Sequence, residues 1–224
     1  ILTILYLALT LIIYKNVPES PYKKPDLKLL KFFNNFKDFG QNLKVLYSLF
    51  ISLTLLIMFI SMYSILNSYI TSNKVGGDMS VASVVKLFGV IGMFLSLLVG
   101  RLSGRLGTIR VLTLALSTCV VSLILMGTFT NIVLITIFSV TFVAGIAFAI
   151  PTVISKVGVV VNSNQGFFLS VNTVILFLGT AIAPILMIYV KQIPNFFLEF
   201  LTIAMIGVLA VIVSIFMPND HHVN

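Results

Sequence analysis

Apolar residues in this chain come in long runs broken by short polar stretches, without the strict alternation of a half-buried strand. Runs that are apolar on every side suit helices surrounded by hydrocarbon, where each backbone amide must find its partner inside its own segment. A hydrocarbon layer about 30 Å thick takes about 20 helical residues to cross. Six runs reach that length, at residues 45–70, 79–99, 109–128, 132–154, 167–190 and 196–217, and each predicts one crossing. A seventh run, residues 1–14, falls short and opens without Met, so it is read as the end of a truncated transmembrane helix. It has neither the basic start nor the small-residue cleavage site of a signal peptide. The pattern predicts an all-α polytopic membrane protein.

The polar breaks supply orientation. Residues 15–44 carry seven lysines against Glu19, Asp26 and Asp38, and residues 100–110 carry Arg101, Arg105 and Arg110. One out-and-back pair of crossings separates these two breaks, so both lie on one side, and the excess of basic residues makes that side the cytoplasm. Lys156 and the tail, residues 218–224, then fall inside, and the turns near Asn73, Asn131 and Gln192 fall outside. Within residues 15–44, Leu29, Phe32, Phe33, Phe36 and Leu43 recur at helical spacing, with Lys28, Lys31 and Lys37 on other faces. This predicts an amphipathic interfacial helix in a cytoplasmic loop, greasy side on the membrane and lysines toward anionic lipid headgroups.

Composition closes off other classes. At 59% hydrophobic and 9% charged, with a mean hydropathy of +1.15, the chain has too few polar residues to cover a water-facing surface. The net charge of +8 gathers in the connecting segments, as topology requires, and does not indicate a nucleic-acid partner. The lone Cys119 excludes an intrachain disulfide and a two-cysteine metal site. Adjacent His221 and His222 diverge in direction and lack supporting ligands, so no metal is expected. No phosphate-binding Gly-Lys-Ser/Thr loop and no carboxylate pair or Ser/His couple within the crossings points to an enzyme, and no cofactor is implied.

Polar groups inside the crossings are the candidate substrate contacts. An ammonium at membrane depth costs about 2.5 to 3.5 kcal/mol on insertion scales, so Lys86, about a third of the way down its crossing from the outer face, should face a water-filled cavity, meeting an anionic group on a substrate or an acidic residue of a missing first half, with snorkelling of its long stem to the outer headgroups the alternative. Tyr63 and Asn67 share a helical face at four-residue spacing, and Asn172 and Thr173 lie within a later crossing; such groups line a cavity or tie helices together. Pro151 and Pro184 each remove a backbone hydrogen bond and predict bends. Gly145 with Ala149 and Gly179 with Ala183 offer small-residue faces for close helix approach. Glu199, near the outer end of the last crossing, and Asp78, in an outer turn, are read as solvated, which leaves no proton carrier deep in these helices.

Three passages resemble the major facilitator superfamily. Gly100, Leu102, Arg105 and Gly107 follow its cytoplasmic loop pattern, with Arg110 slightly displaced among the basic residues that close it. Val17-Pro18-Glu19-Ser20 is similar to the exit from the sixth helix, and Gly179 to Pro184 to the small-residue stretch of the eleventh. Gly104 stands where the family usually has Asp, and Thr108 and Ile109 where basic residues are common, which removes the local acceptor for Arg105. The resemblance implies the second half of a twelve-helix transporter: the end of helix 6 in residues 1–14, a central loop in 15–44, and a six-helix bundle in 45–217 built as two inverted three-helix repeats. It implies that residues 100–110 latch the cytoplasmic helix ends. It further implies alternating access of a small solute, efflux of drug or metabolite type, a coupling ion with the proton foremost, a first half supplied by the same protein, and a cell-membrane location. An importer of a sugar, nucleoside or organic anion, and a transport-inactive scaffold component, are the alternatives.

Overall fold

The computed structural model describes residues 43–72, 75, 77–160 and 165–217. The truncated helix expected at 1–14, nearly all of the central loop and the tail with His221 and His222 lie outside the described residues. Every described regular element is helical: α1 Leu43–Ile70, α2 Met79–Phe94, α3 Val99–Leu106, α4 Thr108–Thr128, α5 Ile132–Val160, α6 Gln165–Val190 and α7 Phe196–Ile215. A single 3-10 turn, Leu95–Leu98, carries α2 into α3, so the two form one span of 28 residues. Among the described residues six spans are thus long and apolar enough to cross a membrane, and the chain is an integral, multi-pass membrane protein.

The span ends differ from the expectation in one informative place. The second crossing runs past residue 99 to Leu106, so most of the basic stretch read as a loop is helical. Arg and Leu are good helix formers and no proline interrupts them. The stop is Gly107, which sits at φ 87° and separates α3 from α4 by one residue. A side chain there would force its Cβ against the following carbonyl, whereas glycine has no Cβ. On the opposite side, Asn131 and Asn195 start α5 and α7 by accepting the amide hydrogens of Val133 and Phe197 at 2.9 and 3.0 Å.

Within the helices, hydroxyls turn inward on their own backbone. Thr54, Thr113, Thr141 and Thr152 each donate to the carbonyl four residues back, at 2.6 to 3.0 Å. That removes a free donor from surroundings without water.

α1 is the axis of the bundle. It packs against α2, α5, α6 and α7, and Ile51, Leu55, Met58, Met62, Ile65 and Leu66 along it have no exposed surface. The remaining contacts reveal the repeat: α1 pairs with α6 as α5 pairs with α2, and α1 pairs with α7 as α5 pairs with α4. Exchanging α1 with α5, α2 with α6 and α4 with α7 therefore maps the packing onto itself. Since the chain crosses alternately, α1 and α5 run in opposite directions, which is the inverted three-helix repeat. The two least buried spans, α2–α3 and α6, are also partners under this exchange.

Helices in lipid gain little by hiding apolar faces from one another, so contact must be close. Gly179 on α6 meets the Leu53 carbonyl of α1, and Gly145 on α5 meets the Ala115 carbonyl of α4. Gly92 on α2 lies so near α5 that a Cβ would fall 2.6 Å from the Val140 carbonyl oxygen and 2.9 Å from the Ala144 nitrogen. Both are backbone atoms and cannot swing aside. Gly92→Ala is expected to cost about 1 to 3 kcal/mol through overpacking and to lower the melting temperature of the purified protein by several degrees. Gly104→Ala, with nothing within 4 Å, should leave it unchanged or slightly higher.

Candidate functional site

The face of α1 bearing Leu56, Phe59, Tyr63 and Asn67 follows helical spacing and turns toward α2. The Phe59 and Tyr63 rings meet edge-on, centroids 5.1 Å apart at 88°, a favourable arrangement for aromatic quadrupoles. The Tyr63 hydroxyl lies against α2 where the chain has Gly89; a Cβ there would come within 2.6 Å of that oxygen. One turn earlier on α2, the Lys86 ammonium stands over the Tyr63 ring, 5.9 Å from its centroid. This distance is at the outer edge of cation–π attraction, about 6 Å, so the ring only partly compensates the charge. Among the described residues Lys86 has no ion pair: the only described carboxylates are Asp78, exposed at the start of α2, and Glu199 on α7.

Below Lys86 on the same stripe of α2, Met93 and then Ser96 of the 3-10 turn open onto a cavity of about 400 Å³. Leu56 and Phe59 of α1 form one wall, and Val143, Ile146, Ala147, Ile150 and Pro151 of α5 form the other. The size suits a small organic molecule. Of these lining side chains only Ser96 carries a polar group. Pro151 has no amide hydrogen for the Ala147 carbonyl, yet α5 continues through it to Val160. By residue count the cavity lies near the middle of α5 and of the α2–α3 span, at mid-depth, between the first helices of the two repeats.

The structure thus brings Lys86 and Tyr63 together, with Asn67 on the same face of α1, and separates them from Asn172, Thr173 and Pro184. Asn67 is partly buried one turn above Tyr63. Asn172, buried on α6, accepts a hydrogen bond from Ser52 at 2.7 Å, which ties α6 to α1. Ser52 lies eleven residues along α1 from Tyr63, about 16 Å at 1.5 Å per residue. Thr173 is exposed on α6, and its hydroxyl donates to the Leu169 carbonyl at 2.7 Å. Pro184 is likewise exposed, with α6 continuous through it.

At the end of the bundle expected to face inward, Gly100, Leu102 and Arg105 belong to α3, Gly107 is the break, and Arg110 opens α4. All are exposed, as is Arg101, and no described carboxylate lies on this side to pair with the arginines.

Two features escaped the sequence reading. Phe59, which lines the cavity and supports Tyr63, carries no polar signal, and its position beside Tyr63 became informative only once α2 and α5 were in place. Glu199, taken as solvated from its place near a helix end, is 4% exposed, and its Oε2 has no hydrogen-bond partner among the described residues. That expectation failed because α7 packs on α1 and α4 from its first turn, with Phe196 and Phe200 against Tyr69.

The chain has one cysteine, buried Cys119, so labelling reads the geometry cleanly. In a Cys119→Ala background, Lys86→Cys should react with a membrane-impermeant maleimide within minutes and Asn172→Cys should resist it, as followed by gel shift. Equal labelling at the two positions would contradict the placement.

A family model described as Major Facilitator Superfamily matches residues 1–184. No curated protein matches the chain.

Proposed function

The chain belongs to the major facilitator superfamily, and from that premise we propose that it is part of a secondary active transporter that moves a small solute by alternating access. The observation that carries this reading is the cavity between α1, α2 and α5, because in repeat-built transporters the solute site lies near the midplane where the repeats meet. Rocking of the bundle against a first half of the same protein exposes that site to one side and then the other. Lys86 and Tyr63 are the contacts proposed for the solute, and Arg105 with Arg110 the inner latch.

The proposed direction is outward, across the cell membrane, an inference that rests on the resemblance of residues 100–107 and 179–184 to efflux members. The proposed coupling ion is a proton. Glu199 supports it as the one buried carboxylate among the described residues, with an oxygen open to accept hydrogen.

The test is flux in liposomes containing the full-length protein. A saturable solute flux that collapses when a protonophore dissipates the gradient is the expected result. Lys86→Ala should abolish it or change which solutes are carried, and Arg105→Ala should slow it. Flux that is non-saturable and identical in both variants would refute the reading.

A further inference from the structure

We propose that Lys86 and the apolar cavity are two ends of one binding site, and that its ligand is an organic anion with an apolar body. This builds on the transporter reading by naming the class of solute.

The charged end follows from what Lys86 lacks. It stands about 10 Å by residue count from the middle of its span, where a charge costs part of the about 2.5 to 3.5 kcal/mol paid at a helix centre, and a ring face at 5.9 Å returns only some of that. No described carboxylate pairs with it, so a ligand anion would supply the missing partner and receive charge-assisted hydrogen bonds. A cationic ligand would meet repulsion at the same point.

The apolar end follows from the cavity walls. Ser96 is the only hydroxyl among its lining side chains, so a sugar or nucleoside would bury several hydroxyls with one side-chain partner to share. Each hydroxyl turned to these walls and left unpaired costs about 1 to 3 kcal/mol. An aromatic or aliphatic group would fit without that penalty, and the flexible Met93 thioether accommodates differing shapes.

Phe59 makes the two ends one site. Its ring lines the cavity and also abuts the edge of the Tyr63 ring that Lys86 overlies. Lys86 and Met93 are seven residues apart on one stripe of α2, about 10 Å at 1.5 Å per residue. A ligand with one charged group and one or two fused rings spans that distance.

Equilibrium dialysis of the full-length protein in a non-ionic detergent tests this with three probes of similar shape: naphthalene-2-sulfonate, 2-naphthylmethanol and 2-naphthylmethylammonium. The sulfonate should bind at least about 10-fold more tightly than the alcohol, and the ammonium more weakly than either. Lys86→Gln should bring the sulfonate down to the level of the alcohol, whereas Lys86→Arg should keep the preference. Ala147→Phe, which fills the cavity, should weaken sulfonate and alcohol by a similar factor and leave their ratio unchanged. Monodisperse elution and an unchanged melting temperature establish that each variant is folded. Equal binding of the three probes, or a ratio intact in folded Lys86→Gln, overturns the proposal. Saturable transport without anion preference would also overturn it and leave the transporter reading standing; charge-selective binding without transport would do the reverse.

Discussion

Hydrocarbon offers helices no reward for covering one another's apolar sides, and everything in this bundle answers to that constraint. What holds the spans together is contact at van der Waals distance, which demands small residues where axes converge. Gly92, Gly145 and Gly179 each bring a neighbouring backbone to within the space a methyl group would need. The same constraint turns the threonine hydroxyls onto their own helices and pairs Ser52 with Asn172 across α1 and α6. With α1 fixed at the axis by these contacts, its Tyr63 face is held opposite α2.

The repeat then decides where empty space can exist. α1 and α5 occupy equivalent places in two units of opposite direction, so their meeting line lies at mid-depth, and the cavity opens there. Gly89 allows Tyr63 to reach α2, and Tyr63 in turn sits under Lys86. A charge that would be costly on a lone helix becomes part of a surface shared by three. α2 forms part of the cavity wall, whereas its counterpart α6 packs on the other side of the exchange, against α1.

The architecture was legible because its signals are local. Six runs of crossing length set the spans, a signal that depends only on composition over about 20 residues. Lys86 stood out because a charge in an apolar run is rare. The cavity could not be read in advance, since Leu56, Phe59 and Met93 look like any packed residue until their neighbours are known. Nor could position distinguish Asn172, a tie between α1 and α6, from a solute contact. Helix boundaries moved where charge suggested a loop: the arginines of α3 favour helix as readily as coil, and only Gly107 ends it. Glu199 misled for the opposite reason, because a helix end is commonly wet and this one packs on α1 and α4 from its first turn.

That buried carboxylate bears on how the protein is made. α7 is the last of the described spans to leave the ribosome, and Glu199 is enclosed only where α7 packs on α1 and α4, which are synthesised before it. Glu199 lies in the first turn of α7, so leaving it unpacked costs less than a charge at the bilayer centre, yet its enclosure still requires α1 and α4 beside it. Closing over Glu199 is therefore a late event among the described spans, one that follows the placement of α1 and α4.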